Sequence, residues 1–325
     1  MAARQEEFTK DSKTAFGAIT EGKEVAEAFK DQIAGKNILI TGITTKGLGA
    51  ELAKTMVPYN PALIILASHD PNEVANLIGE LRPLQTDESA TALAPLLVDL
   101  SSFASVRKAA QDVIVYLSQS RSGAKLDILV NNASPEGLRS YTRRADGYET
   151  IMGIAHLGHF LLSGLLRSSL APRARIVNLT SLQHRNAEVT LSDLWFRPGE
   201  AHDRDVAYAR AMAATIFFTK GLARRGFVSF AVQTGPGRAS DQSGKPRAEA
   251  DVLAERFGLG WKTFQQAVAT YVVAAFQPGL DETDNGAFLS DCQVEKSAAF
   301  AESESTVENL WKFSEELVGQ RFGSS

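Results

Sequence analysis

Short runs of consecutive apolar residues alternate along this chain with longer stretches in which apolar positions recur every three or four residues. The runs are "NILIT" (37–41), "ALIILAS" (62–68), "APLLVDL" (94–100), "LDILVNN" (126–132), "RIVNLTS" (175–181) and "FVSFAVQ" (227–233). Each has the length of a strand. They lack polar–apolar alternation, so both faces are expected to be covered, as in a parallel sheet flanked by helices. Ten or more residues of helical period follow each run, which predicts repeated βαβ units. The expected fold is therefore α/β: a doubly wound parallel sheet with helices on both faces, in a single domain.

The pattern also sets the expected boundaries. Residues 1–35 are charged and read as an N-terminal extension with one helix, in which Val25, Phe29 and Ile33 fall four apart before Gly35 ends it. Residues 36–325 form the main domain. Its one long irregular connection, 183–205, contains Trp195, Phe196 and Pro198 and suggests an apolar flap. Leu310, Phe313 and Leu317 recur at helical spacing and predict a C-terminal helix over about 305–318. No solenoid repeat, low-complexity tract or Pro/Gly/Ser-rich linker divides the chain.

Composition narrows the setting. With 325 residues, 44% of them apolar, the chain can bury a core without covalent staples. The lone Cys292 excludes an intramolecular disulfide, and the polar start "MAARQEEFTKD" lacks the regions of a secretory signal, so a cytoplasmic setting is expected. The longest apolar stretch, Ile151 to Leu166, is interrupted by His156, His159 and glycines, and reads as a buried helix rather than a membrane span. A net charge of −4 gives no broad basic field; the pairs Arg143-Arg144 and Arg224-Arg225 read as solvated faces, and nucleic acid is not an expected partner.

Candidate chemistry begins where the first run ends, at "TGITTKGLGAELAK" (41–54). Gly42, Gly47 and Gly49 lie between a strand and a helix beginning near Leu48. Glycines there allow a tight turn and let backbone N–H groups approach a pyrophosphate, whose charge the helix N-terminus favours. Further landmarks follow in order: "VDLSS" with Asp99 and Leu100, "NNAS" from Asn131 through Ala133 to Ser134, "RIVNLTS" ending at Ser181, "YARAM" from Tyr208 to Met212, and "TGPG" ending at Pro236 and Gly237.

Together these resemble the short-chain dehydrogenase/reductase family, most of all its retinol-dehydrogenase-type and fungal members, over roughly residues 35 to 320. The resemblance implies a dinucleotide held by Gly42, Thr44, Thr45, Lys46, Gly47, Leu48 and Gly49, with Ser68 and His69 at the end of the second strand. Asp99 and Leu100 would lie beside the adenine, Asn131 and Ala133 beneath the cofactor, and Pro236 and Gly237 near the nicotinamide. Four residues separate the first two glycines where most members have three. Lys46 resembles the basic residue that NADP-preferring relatives pair with the 2′-phosphate, so NADP(H) is the expected cofactor.

The same resemblance implies a tetrad of Asn, Ser, Tyr and Lys, of which this chain keeps only two. Ser181 and Tyr208 match; Ala155 stands at the asparagine position and Met212 at the lysine position. A nearby cation lowers a tyrosine pKa of about 10 by roughly one to three units, so its loss removes a 10- to 1000-fold gain in tyrosinate at neutral pH. Met212 donates no proton. Arg210 and Lys220 are poorly spaced to substitute for it, whereas His184, three residues after Ser181, is a candidate proton donor. His156 and His159 belong to the family's "HLGHF" pattern and read as core, and no metal is expected.

The reading favoured is an atypical NADPH-dependent reductase of a small apolar carbonyl substrate, in secondary metabolism as among fungal relatives. A non-redox isomerase, cyclase or dehydratase on the same fold, and a non-catalytic nucleotide-binding protein, are the alternatives. Trp195, Phe196, Trp261 and Phe264 would suit an apolar ligand, and pairing through residues 148–170 and 204–225 would give a homodimer.

Overall fold

The computed structural model describes residues 15–85, 91–123, 125–134, 142, 146–187, 203–235, 237–238 and 260–323. Every apolar run contributes a strand: β1 (Asn37–Thr41), β2 (Leu63–Ser68), β3 (Ala92–Leu97), β4 (Leu126–Asn131), β5 (Leu170–Thr180) and β6 (Val228–Gln233). Four short strands follow, β7 (Gly237–Arg238), β8 (Lys262–Thr263), β9 (Phe288–Ser290) and β10 (Gln293–Glu295). Among the described residues, the main sheet has the order β3-β2-β1-β4-β5-β6-β9-β10. All its pairings are parallel except β9 with the edge strand β10. The order reverses between β1 and β4, the switch point at which such sheets bind ligands outside their carboxyl ends.

The helices are α1 (Gly22–Ala28), α2 (Lys30–Ile33), α3 (Leu48–Met56), α4 (Pro71–Leu81), α5 (Phe103–Ser118), α6 (Thr150–Met152), α7 (His159–Leu165), α8 (Arg204–Arg224), α9 (Phe264–Phe276), α10 (Leu280–Thr283) and α11 (Glu304–Val318). They cover both faces. Ile38 and Ile40 of β1 point into a core with residues of α1, α3, α4 and α9, while Leu39 between them points into a second core with α5, α7 and α8. Burial on both sides is why β1, β2, β4 and β6 carry apolar residues at successive positions, whereas the edge strand β3 alternates buried and exposed residues. No helix among the described residues is long and apolar enough to cross a membrane.

The N-terminal segment differs from the single appended helix expected. It breaks at Phe29 (φ −111°) into α1 and α2, yet Phe29 N–H still bonds Val25 C=O and Ile33 N–H bonds Phe29 C=O. The four-residue spacing therefore survives the break, and Val25, Ala26 and Ile33 are buried in the same core as Val268 and Tyr271 of α9. A Cβ at Gly22 would stand 2.7 Å from Val268. This segment is part of the body.

At the other end, α11 lies across α7 and α8. The Trp311 ring meets Phe160 at 4.9 Å between centroids and Phe218 at 6.1 Å, and the Arg225 guanidinium sits 3.9 Å above it. Phe322 packs on Phe160 at 5.6 Å and lies over Gly164. Parts of α7 and α8 are thus covered by the chain's own C-terminal segment.

Candidate active site

The turn after β1 is built on glycine for two separate reasons. Gly42 has φ +73°, and a Cβ there would lie 2.5 Å from Ala133 Cα. Beneath it, Thr41 Oγ1 accepts the N–H groups of Asn132 (3.0 Å) and Ala133 (3.1 Å) and is 2.9 Å from His159 Nε2. Asn132 donates through Nδ2 to Thr41 C=O (2.9 Å) and accepts from Tyr271 Oη (2.8 Å). His159 Nδ1 faces Ala155 C=O at 3.2 Å, and burial pushes this histidine's pKa down to about 4, so it is neutral and receives the Thr41 hydroxyl proton at Nε2. A histidine of the "HLGHF" pattern is therefore part of the foundation of the glycine turn.

Helix α3 starts from Gly47 with no side chain capping its first turn. Its N-terminal N–H groups and dipole remain available to an anion. Ser134 Oγ, at the carboxyl end of β4, is buried without a hydrogen-bond partner among the described residues. An uncapped helix start, a turn too tight for a side chain and an orphaned hydroxyl together fit a dinucleotide at this edge. Thr44 and Lys46 are exposed, and Lys46 carries no ion pair among the described residues. Thr45 donates from both N–H and Oγ1 to the carboxylate of Glu73 in α4.

Along the same edge, Ser68 is buried and accepts Asp70 N–H at 3.2 Å, while His69 is exposed. Asp70 accepts Asn72 N–H (2.8 Å), capping α4. Asp99 is exposed and accepts from Ser101 N–H (2.9 Å) and Oγ (2.6 Å). Leu100 is buried, and its carbonyl lies so near α7 that a Cβ at Gly158 would be 2.3 Å from the oxygen. Asn131 donates to Asn178 Oδ1 (2.8 Å) and Ser163 Oγ (3.2 Å), joining β4, β5 and α7 from inside the core. Gly237 opens β7; Pro236 and the flap residues 188–202, with Trp195 and Phe196, lie outside the described residues. Trp261 and Phe264, just before and at the start of α9, are half-buried.

Beyond β6, Gly235 has φ +75° and packs on the stem of Lys262, whose ammonium pairs with Asp291 just past β9. This buried cation at the carboxyl edge was not foreseen, because one lysine beside a two-residue strand leaves no periodic signal. Cys292 next to it is buried, which raises its thiol to about 11 and leaves it protonated.

The hydroxyl pair sits at the junction of β5 and α8. Thr180 Oγ1 donates to Met212 C=O at 2.9 Å, fastening the end of β5 to the helix one turn beyond Tyr208. Ser181 then caps a 3-10 turn, Leu182–Asn186, which packs against α8. Ser181 and Tyr208 are both half-buried. Around them, Ile151, Ala155, Leu182, Met212 and Phe217 form one apolar cluster, on which Tyr208 packs. Met212 and Ala155 thus lie in the same oily patch. Ala155 belongs to a π-turn, Gly153–Gly158, that interrupts the helix formed by α6 and α7.

His184 requires a correction. It is 0% exposed, its Nδ1 donates to Ser181 C=O (2.7 Å), and its Nε2 accepts Ala298 N–H (3.2 Å). Burial pushes its pKa down to about 4. With both nitrogens engaged by backbone, it is a strut between the Ser181 turn and the segment before α11, not a proton donor. Lys220 is paired with Glu302 at 2.6 Å. His156, in the core, pairs with Ser314 Oγ at 2.7 Å.

A three-layer α/β sheet with a glycine turn at its switch point is the architecture of a dinucleotide-binding fold. The short chain dehydrogenase family model matches residues 36–192. Retinol dehydrogenase 12 of Homo sapiens is 31% identical over 297 residues, covering 90% of this chain and 89% of its own length. Oxidoreductase fscI of Fusarium equiseti is 29% identical, covering 68% of this chain and 94% of its own. Among solved structures, a Mycobacterium Paratuberculosis protein superposes with TM-score 0.68 at 23% identity, covering 90% of this chain and 96% of that one. A Burkholderia cenocepacia short chain dehydrogenase in complex with NADP gives 0.59 at 21%, covering 80% and 97%. The chain belongs to the short chain dehydrogenase family and is an NAD(P)-dependent oxidoreductase.

Proposed function

We propose that this protein is an NADPH-dependent reductase of a small, apolar, carbonyl-containing substrate, working with half of the family's proton-transfer machinery in a cytoplasmic, secondary-metabolic setting. The observation that carries the reading is the fastening of Thr180 to Met212, which keeps Ser181 and Tyr208 beside one apolar cluster at the carboxyl edge of the sheet. The fungal oxidoreductase relative and the neighbour in complex with NADP support it.

NADPH, when bound, supplies the hydride. Gly42, Gly47 and the open start of α3 would hold its pyrophosphate, and Lys46 would pair with the 2′-phosphate. Ser181 Oγ–H holds the carbonyl oxygen, and Tyr208 Oη–H delivers the proton that neutralises it. A neutral tyrosine does this without first being ionised, so reduction tolerates Met212. Alcohol oxidation needs a base and suffers more. The apolar cluster at Met212 and Ala155 also favours a second reading, an isomerisation or dehydration in which the same hydroxyls polarise a carbonyl without hydride transfer.

The test is calorimetric titration with NADPH, NADP⁺ and NADH, followed by nicotinamide oxidation assays on apolar aldehydes and ketones. Tyr208→Phe and Ser181→Ala should each lower turnover by about 100-fold or more at unchanged NADPH affinity. A product of unchanged oxidation state supports the second reading; absence of nucleotide binding defeats the reductase reading.

A further inference from the structure

The glycine turn carries an acid where a nucleotide-binding loop needs donors. Thr45 donates from both N–H and Oγ1 to a single oxygen, Oε2 of Glu73, which lies in the first turn of α4. Glu73 is three residues beyond the cap Asp70, the position from which a glutamate ordinarily reaches back to the cap's own N–H. Here Asp70 N–H is taken by Ser68 Oγ instead, and Glu73 reaches across to the loop. Its other oxygen, Oε1, has no hydrogen-bond partner among the described residues. The next loop residue, Lys46, is exposed and without an ion pair among them.

We propose that Glu73 is an internal competitor for an anion subsite made of Thr45 N–H, Thr45 Oγ1 and Lys46 Nζ, and that it tunes the preference between 2′-phosphorylated and 2′-hydroxyl nucleotides. This rests on the reading of the glycine turn as a nucleotide site. A 2′-phosphate reaching these donors must displace the carboxylate, because two anions cannot share them. A ribose 2′-hydroxyl is itself a donor, and the open Oε1 can accept it. Glu73 and Lys46 therefore act in opposite directions on the same phosphate, and their balance sets how strongly NADPH is favoured.

The probes are 2′,5′-ADP and 5′-AMP, titrated by calorimetry into the full chain carrying Glu73→Gln, Thr45→Val or Lys46→Ala, alongside the unaltered protein. Glu73→Gln preserves shape and removes charge; it should raise affinity for 2′,5′-ADP relative to 5′-AMP by about tenfold or more. Lys46→Ala should lower the same ratio by about tenfold. Thr45→Val, made in the Glu73→Gln background, should weaken 2′,5′-ADP while leaving 5′-AMP unchanged. Thermal unfolding midpoints of the variants establish that each is folded. If both nucleotides bind but Glu73→Gln leaves the ratio unchanged, the competitor role is overturned and the nucleotide site stands. If neither nucleotide binds any of the proteins, both readings fall.

Discussion

If the expected tetrad alignment holds, placing lysine at 212 and asparagine at 155 together should raise turnover, and the structure indicates at what cost in stability. Met212 is 1% exposed and shares an apolar cluster with Ala155, Ile151 and Leu182. A lysine at 212 has nearly the same length, but its ammonium arrives among the apolar side chains of that cluster. Met212→Lys alone should therefore destabilise the fold by about 2–4 kcal/mol. Ala155→Asn alone should cost about 1–2 kcal/mol, through overpacking and an unsatisfied amide. The π-turn holding residue 155 packs against α8 and residues 155 and 212 share one cluster, which favours a bond from the new ammonium to the new carbonyl oxygen. The double variant should then be at least about 1 kcal/mol more stable than the sum of the single effects. A cation near Tyr208 lowers the phenol pKa by roughly one to three units, so turnover should rise about tenfold or more, and more in the oxidative direction than in the reductive one. The assays are urea unfolding for the stability cycle and reduced-nicotinamide absorbance for turnover. A folded double variant with unaltered nucleotide affinity and unaltered turnover in both directions would refute the tetrad reasoning.

Three further outcomes are expected. His156, His159 and His184 are pushed by burial to about 3, 4 and 4, below the ordinary value of about 6.5. Below pH 6.5 the unfolded chain binds protons that the fold refuses, so stability should fall as pH drops, by about 1.4 kcal/mol per unit for each histidine until its folded pKa is approached. Urea unfolding at pH 7 and pH 5 measures this drop, His184→Gln should reduce it, and a flat profile would contradict the assigned neutral states. Gly158→Ala should cost about 1–3 kcal/mol, because its Cβ meets the Leu100 carbonyl. Gly79→Ala, in the exposed middle of α4 with open space around it, should instead stabilise by about 0.5–1 kcal/mol; the two melting shifts must have opposite signs. Sedimentation should give a monomer near the chain mass of 35.1 kDa, and Trp311→Ala should cost about 3–5 kcal/mol in urea unfolding.

The strands themselves were legible because β1, β2, β4 and β6 are buried on both faces and so announce themselves as uninterrupted apolar runs. The short strands β9 and β10 were not, since three residues such as Phe288–Ser290 carry no measurable period. The glycine turn could be read from Gly42, Gly47 and Gly49, but the bond from Thr45 to Glu73 joins residues from separate helix–loop units and has no local signature. His184 misled for a related reason. Its proximity to Ser181 in sequence is real, yet its side chain folds back onto the Ser181 carbonyl and away from the hydroxyl. Sequence spacing gives which residues are neighbours, whereas the direction in which a polar atom is spent depends on Ala298, more than a hundred positions away. The N-terminal segment was legible as helical and illegible as core, because its partners, Val268 and Tyr271, lie in α9.

The position of α11 has a bearing on how this enzyme behaves when scarce. A subunit that shields the α7–α8 face with a second copy loses that cover upon dilution, and its stability depends on protein concentration. Here the cover is tethered to the same chain, through Trp311 on Phe160, Glu308 on Arg225 and Phe322 on Gly164, so its local concentration is fixed by the connection and not by expression level. The fold should hold equally well at a handful of molecules per cell and at the concentrations of a test tube.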